Sequence, residues 1–164
     1  MYPNPILVKE KKMEEYEYSF KVTDLKPYIE YCENNNYKKK EETSQTRILY
    51  KNINKTMARI TTNEKNGNKK TILDFKDDNE SDDTLKVRRE SLPLEILESN
   101  KEAIDSILEM LGYIIKKTLI RKRVVYFKDN VTFELDDYSS PEVMFVVGIE
   151  GQKEKVDRVY NELQ

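Results

Sequence analysis

Glu14-Glu15-Tyr16-Glu17-Tyr18-Ser19-Phe20-Lys21-Val22 alternates polar and apolar residues from Glu15 to its end. Successive side chains of a strand point to opposite faces, so Tyr16, Tyr18, Phe20 and Val22 form an oily face, and Glu15, Glu17, Ser19 and Lys21 a charged one. The same arrangement returns downstream. Arg59, Lys76, Arg88-Arg89-Glu90, Arg121-Lys122-Arg123, Asp136 and Glu150 all fall in segments patterned as strands, where charges recur at spacings of two. An ordinary sheet does not hide such rows. They imply a wet, charged interior suited to a polyanion and its metal ions.

Beyond that first strand, residues 1–13 carry two prolines and a basic run, and read as a loose arm ahead of one domain spanning 14–164. Asp24 is placed to cap a helix running to about Asn34, with Pro27 tolerated in its first turn. Strands are expected at about 37–51, 56–63, 69–76 and 84–92. Ser99-Asn100-Lys101-Glu102 has the form of a capping box, Ile104, Ile107, Leu108 and Leu111 make an apolar stripe, and Gly112 sits where a helix stops. Further strands are expected at about 114–127, 131–137 and 143–150, with Asp129-Asn130 as a tight turn, then a helix over Gln152–Leu163.

Composition narrows the chemistry. The chain has 164 residues, with 29 Lys plus Arg against 31 Asp plus Glu and a net charge of -2, so a generic DNA clamp is not implied. There is no histidine and one cysteine, Cys32, which removes His-based triads, internal disulfides and the usual zinc sets. Any metal must be held by carboxylates, favouring magnesium or manganese. Cys32 reads as a small core residue, and a reducing cytoplasm is the natural compartment. No apolar run reaches membrane length and no signal peptide is evident.

Shifting the sequence by 76 positions aligns Asn36-Tyr37 with Gly112-Tyr113, Arg47-Ile48-Leu49-Tyr50 with Arg123-Val124-Val125-Tyr126, and Asn54 with Asn130. This echo hints at two related halves, with chance similarity as the alternative. Eight strands joined mostly by short turns predict an α+β fold: a closed or nearly closed antiparallel eight-stranded β-barrel, its tunnel charged, with about three helices outside. The oily faces, including Tyr16, Tyr18, Phe20, Ile60, Ile72 and Val124, would meet the helices.

This order of motifs resembles the CYTH family of triphosphate tunnel metalloenzymes, which includes class IV adenylate cyclases, thiamine triphosphatases and inorganic tripolyphosphatases. The family's opening Glu-x-Glu-x-Lys is similar to Glu15-Tyr16-Glu17-Tyr18-Ser19. Its later Arg, Lys and Arg-x-Glu resemble Arg59, Lys76 and Arg88-Arg89-Glu90. Its Lys-x-Arg-x-x-Tyr resembles Arg121-Lys122-Arg123 with Tyr126, its Leu-Asp resembles Leu135-Asp136, and its final Glu-Ile-Glu resembles Gly148-Ile149-Glu150. Two positions depart: Ser19 stands for the signature lysine and Gly148 for an acidic metal ligand.

The resemblance implies a triphosphate held by Arg59, Lys76, Arg88, Arg121 and Arg123. It also implies Mg2+ or Mn2+ bound among Glu15, Glu17, Glu90, Glu134, Asp136 and Glu150, with Glu15, Glu17 and Lys21 at the catalytic centre. The expected ligand is a nucleoside triphosphate, thiamine triphosphate or inorganic polyphosphate, to be hydrolysed or cyclised by a monomer or homodimer. Because Ser19 and Gly148 thin both halves of the site, the alternative is a module that binds such a compound without turnover. A plainer reading makes the same charges the solvated face of an open sheet, with Arg88 and Glu90 a surface pair.

Overall fold

A computed structural model of the protein describes residues 14–78 and 85–164, apart from the side chains of residues 14, 15 and 85–87. The expected arm at residues 1–13 lies outside the described residues. The strands are β1 (Glu14–Val22), β2 (Lys38–Lys51), β3 (Thr56–Lys65), β4 (Asn68–Asp77), β5 (Leu85–Arg89), β6 (Leu94–Ile96), β7 (Ile114–Lys128), β8 (Val131–Ser140) and β9 (Met144–Gly151). The helices are α1 (Lys26–Asn34), α2 (Lys101–Met110) and α3 (Lys153–Glu162). No helix among the described residues is long and apolar enough to cross a membrane.

Every strand pairing is antiparallel, in the order β5-β1-β9-β8-β7-β2-β3-β4-β6. The sheet has nine strands where the sequence predicts eight, the addition being the three-residue β6 on the β4 edge. Among the described residues no ladder closes the sheet. Between β4 and the end of β5 there is one isolated bridge, Lys76 to Glu90, and Ser91 N–H donates to Phe75 O at 2.9 Å.

Local chemistry explains most boundaries. Asp24 Oδ1 accepts Lys26 N–H at 3.0 Å, supporting the start of α1. The Asp129 and Asn130 pair, at φ 49° and 62°, makes the expected tight turn between β7 and β8, and Asn66-Gly67 does the same between β3 and β4 at φ 53° and 80°. The Ser99 capping box does not form. A 3₁₀ turn, Glu98–Asn100, precedes α2, and its N-cap Asn100 makes no side-chain capping bond.

Two apolar layers lie outside the sheet. Cys32 from α1 and Val156 and Val159 from α3 bury against Phe133, Leu135, Val147 and Ile149. Leu108 of α2, with Ile104 partly buried beside it, covers Ile60, Ala58, Tyr50 and Ile96. At about 1.5–3 kcal/mol per fully buried large apolar side chain, these layers are the main force holding helices to sheet. A third cluster of Leu49, Met57, Leu119 and Tyr138, with Met144 and Val146 against it, is built from strand residues alone.

The two halves hinted at by sequence share local structure. Asn36 and Gly112 both take left-handed backbone, at φ 62° and 84°, after α1 and α2. The next N–H groups, of Tyr37 and Tyr113, return to Cys32 O and Leu108 O, both at 2.9 Å. β2 and β7 share one burial pattern from their first residue through Tyr50 and Tyr126. They also pair with each other, and Gln45 faces Arg121, its own counterpart under the 76-residue shift. A local two-fold axis therefore passes through that pair.

At the end of β9, Gly151 has φ 152°, and a Cβ there would come within 2.5 Å of Asn130 O. Gly151→Ala is expected to lower stability by about 1–3 kcal/mol through strain and displacement of the β7–β8 turn. Denaturant unfolding checks this, and an unchanged midpoint would show the turn yields freely.

Candidate functional site

The alternating pattern of the strands turns one face of the sheet toward a cavity of about 470 Å³. Glu17, Arg59, Lys76, Arg88, Glu90, Arg121, Arg123, Glu134, Asp136 and Glu150 all line it, as do Ser19 and Gly148. Glu15 pairs with Arg88 in the β1–β5 register, and its side chain lies outside the description. Lys21 does not join the lining. Its ammonium faces Glu142 at 3.6 Å, and its side chain is 71% exposed. Ile72, expected on the oily outer face, lines the cavity instead, because it shares strand parity with Asp74 and Lys76.

Charge is sorted by strand. Carboxylates Glu17, Glu150 and Glu134 come from β1, β9 and β8, which are neighbours in the sheet, and their nearest oxygens lie within 4.8 Å of one another. The cations Arg121, Arg123 and Lys117 come from β7, Arg47 from β2, Arg59 from β3, Lys76 from β4 and Arg88 from β5. A carboxylate cluster on three adjacent strands thus shares one space with cations from the strands around it, among which Asp74 and Glu90 are also placed.

Several carboxylates are already committed. Arg59 holds Asp74 through Nε–Oδ1 at 2.9 Å and an Nη2–Oδ2 contact at 2.5 Å, and reaches Glu90 Oε1 at 2.5 Å. Burial opposes the Arg59 charge, but Asp74 and Glu90 outweigh it and hold the guanidinium protonated beyond its ordinary value. Arg123 grips Asp136 in a fork, at 2.7 and 2.8 Å, and also donates to Glu134. Lys76 Nζ lies 3.5 Å from Glu17 and 3.9 Å from Glu90. Asp136 and Glu90, expected as metal ligands, are paired with cations, as Glu17 and Glu134 also are, and stand outside the group formed by Glu17, Glu134 and Glu150.

Glu134 carries opposing influences. Burial works against its charge, while Arg123, a hydrogen bond with Glu150, Arg121 and Lys76 hold its carboxyl well below the ordinary glutamate range. It remains an anion at neutral pH. Three hard oxygen donors so placed suit a divalent cation such as magnesium or manganese.

The sequence reading missed Arg47 and Lys117 as members of the site, along with Asp74 and Tyr138. Arg47 Nε donates to Thr61 Oγ1 at 2.9 Å, and no carboxylate lies within ion-pair distance of Arg47 among the described residues. Burial first, and then the fields of Arg121, Arg59 and Arg123, push its guanidinium well below its ordinary value, with Glu134 pulling the other way. The 76-residue echo was the available signal, since it sets Arg47 against Arg123.

Arg121 is 4% exposed and rigidly oriented. Its Nε donates to Gln45 Oε1 at 2.8 Å, its Nη1 donates to Tyr138 Oη at 2.6 Å, and Gln45 in turn donates to Asn63 at 2.7 Å. Asp136 lies 3.6 Å from Nη1. Its Nη2 is buried without an acceptor, as is Nε of Arg88. Buried donors left unpaired cost about 1–3 kcal/mol each, and a bound anion would satisfy them.

Ser19 and Gly148, the two departures from the family pattern, are direct cross-strand partners on β1 and β9. A lysine and a carboxylate there would offset each other, so their joint loss leaves the net charge of the cavity unchanged.

No protein-family model matches the sequence, and no curated protein does. Solved structures do match the fold. A Pyrococcus horikoshii protein superposes with a TM-score of 0.69 at 18% identity, covering 91% of this chain and 87% of that one. A Hippeastrum protein, assigned as an adenylyl cyclase and having a dominant triphosphatase activity, gives 0.65 at 14% identity over 91% and 85%. A Vibrio parahaemolyticus protein assigned as an adenylate cyclase gives 0.60 at 12% identity over 91% and 83%. The expected likeness to CYTH-type proteins therefore holds at the level of the fold.

Proposed function

We propose that the cavity binds a triphosphate compound and cleaves or cyclises it with the help of a divalent cation. The observation that carries this reading is that the clustered carboxylates of β1, β9 and β8 line one cavity together with cations from β7, β2, β3, β4 and β5. The triphosphatase activity of the Hippeastrum protein, which shares the fold, supports it.

Glu17, Glu134 and Glu150 would hold magnesium or manganese, which supplies neutralisation of phosphate charge and activation of an attacking oxygen. The chain's own part is electrostatic. Arg121 and Arg88 would present unpaired donors to phosphate oxygens, and guanidinium forks fit such oxygens bidentately. At an effective dielectric near 20, each close pair contributes about 4 kcal/mol of attraction before desolvation is subtracted. Asp74, Glu90 and Asp136 hold their arginines in place, so little reorganisation is needed when charge develops on the phosphate. Closure of the sheet into a tunnel follows from the same reading, with the Lys76–Glu90 bridge as its fastening point.

The Ser19–Gly148 pair favours a second reading, a module that binds the same compounds without turning them over. Assaying phosphate release and cyclic-nucleotide formation from adenosine triphosphate, thiamine triphosphate and inorganic tripolyphosphate, with magnesium and with manganese, separates the two. Metal-dependent turnover of any member supports the enzyme. Tight binding without turnover supports the module, and neither would sink both.

The metal reading has its own test. Glu17→Ala removes a hard oxygen ligand and is expected to weaken manganese binding by about tenfold or more, while zinc has no special effect on the wild type. An unchanged manganese titration would count against the carboxylate cluster.

A further inference from the structure

Arg47 and Arg123 occupy equivalent positions under the 76-residue shift, and their surroundings differ in one decisive respect. Across from Arg123 in register stands Asp136, whereas across from Arg47 stands Thr61. Arg123 is neutralised by Asp136 and Glu134. Arg47 receives only the Thr61 hydroxyl, at its Nε, and its terminal nitrogens have no protein acceptor among the described residues. It nonetheless lines the cavity together with Arg121, Arg59 and Arg123.

A cation kept among cations, with no carboxylate at ion-pair distance among the described residues, raises the energy of the empty protein. The neighbouring Arg121 adds a second, independent sign. Gln45 and Tyr138 fix its guanidinium, and its Nη2 is buried without a partner. The strand register places Arg47 two residues from Gln45, which faces Arg121, on the same side of the sheet. Two cations with unmet donors thus stand together on the β2–β7 wall. Tyr138, whose ring lies 5.4 Å from the Arg121 guanidinium, closes one side.

We propose that Arg47, with Arg121, forms a metal-independent subsite for one tetrahedral oxyanion, a phosphoryl group of the bound compound. The metal-binding carboxylates come from β1, β9 and β8, so the two subsites hold different parts of the ligand. The inference rests on the triphosphate reading and adds to it a residue outside the recognised motifs. It also carries a signature that a structural arginine lacks. Removing an uncompensated cation relieves repulsion in the empty protein while weakening anion binding.

The test titrates inorganic tripolyphosphate by calorimetry into wild type, Arg47→Met and Arg47→Lys, with EDTA and then with manganese, and records ligand-free melting temperatures. Arg47→Met is expected to melt at or above the wild-type temperature and to bind roughly 10- to 100-fold more weakly in EDTA, with Arg47→Lys recovering part of the loss. A lower melting temperature or failure to fold in Arg47→Met overturns the inference, because the charge would then be compensated. Equal affinities of wild type and Arg47→Met overturn it while leaving the triphosphate reading intact. Wild-type binding that requires manganese overturns the metal independence alone, and no binding under either condition removes both readings.

Discussion

Arg123→Met is expected to destabilise the protein by about 3–5 kcal/mol at neutral pH, the largest effect of any single substitution in the cavity. Arg123 is the shared counter-charge of Glu134 and Asp136, and its loss leaves Glu134 without its ion-pair partner and Asp136 with Arg121 at 3.6 Å. The pH dependence identifies the cause. In the wild type the Glu134 carboxyl lies below its ordinary range, so its contribution is complete above the unfolded value of about 4.3 and is lost as pH falls further. Without Arg123, burial is opposed only by Glu150, Arg121 and Lys76, so the Glu134 carboxyl rises from its wild-type position. The variant then has less stability to lose than the wild type as pH falls. The gap between wild type and variant should therefore narrow from pH 7 to pH 4 in urea unfolding. A gap of constant size would show that packing of the arginine stem, and not charge, is what was lost.

The second large effect joins Ser19 and Gly148. They face each other in register, and a Cβ at residue 148 would meet Glu134 Cβ and Glu17 Oε1 at 3.6 Å, which is ordinary contact. A side chain at residue 148 can therefore leave the backbone without a clash, and Gly148→Glu by itself adds a carboxylate beside Glu17 and Glu134. It should destabilise the metal-free protein by about 1–2 kcal/mol and recover with manganese. Ser19→Lys by itself should tighten tripolyphosphate binding, by up to about 3 kcal/mol where its ammonium reaches a phosphate. Together the new side chains compensate each other across the strands, so the double variant should exceed either single one in turnover. A coupling of about 0.5–3 kcal/mol is expected from the double-mutant cycle. Unchanged or weakened binding in Ser19→Lys would mean the cavity serves a different ligand, and the weakened-enzyme reading would fall.

Period-two alternation made most of the site legible, because it fixes which residues share a face whatever the partner strands are. Glu17, Arg59, Lys76, Arg88, Arg121 and Arg123 reach one cavity for that reason. Ile72 was misplaced by its chemistry, as an apolar residue suggests an outer face even where parity with Lys76 turns it inward. Alternation says nothing about which carboxylate meets a metal and which meets an arginine. Asp136 and Glu90 went to arginines, a matter of register between distant strands. β6 escaped notice because three residues after a proline carry no period. Arg47 lay in a polar run, Lys38–Arg47, whose parity is obscured by the bulge between Lys39 and Glu41.

The break in the ladder between β4 and β5 has a consequence for how the protein handles its cargo. The residues that fasten this seam, Lys76 and Glu90, are also cavity residues, and Glu90 reaches across to Arg59. Backbone bonds and side-chain charges share the seam, with Arg89 paired to Asp77 beside the Lys76–Glu90 bridge, so part of its strength depends on what those charges face. On the triphosphate reading, a polyanion beside Arg59 and Lys76 would share those cations with Glu90, so the charges that greet the ligand are the same ones that join the two edges of the sheet.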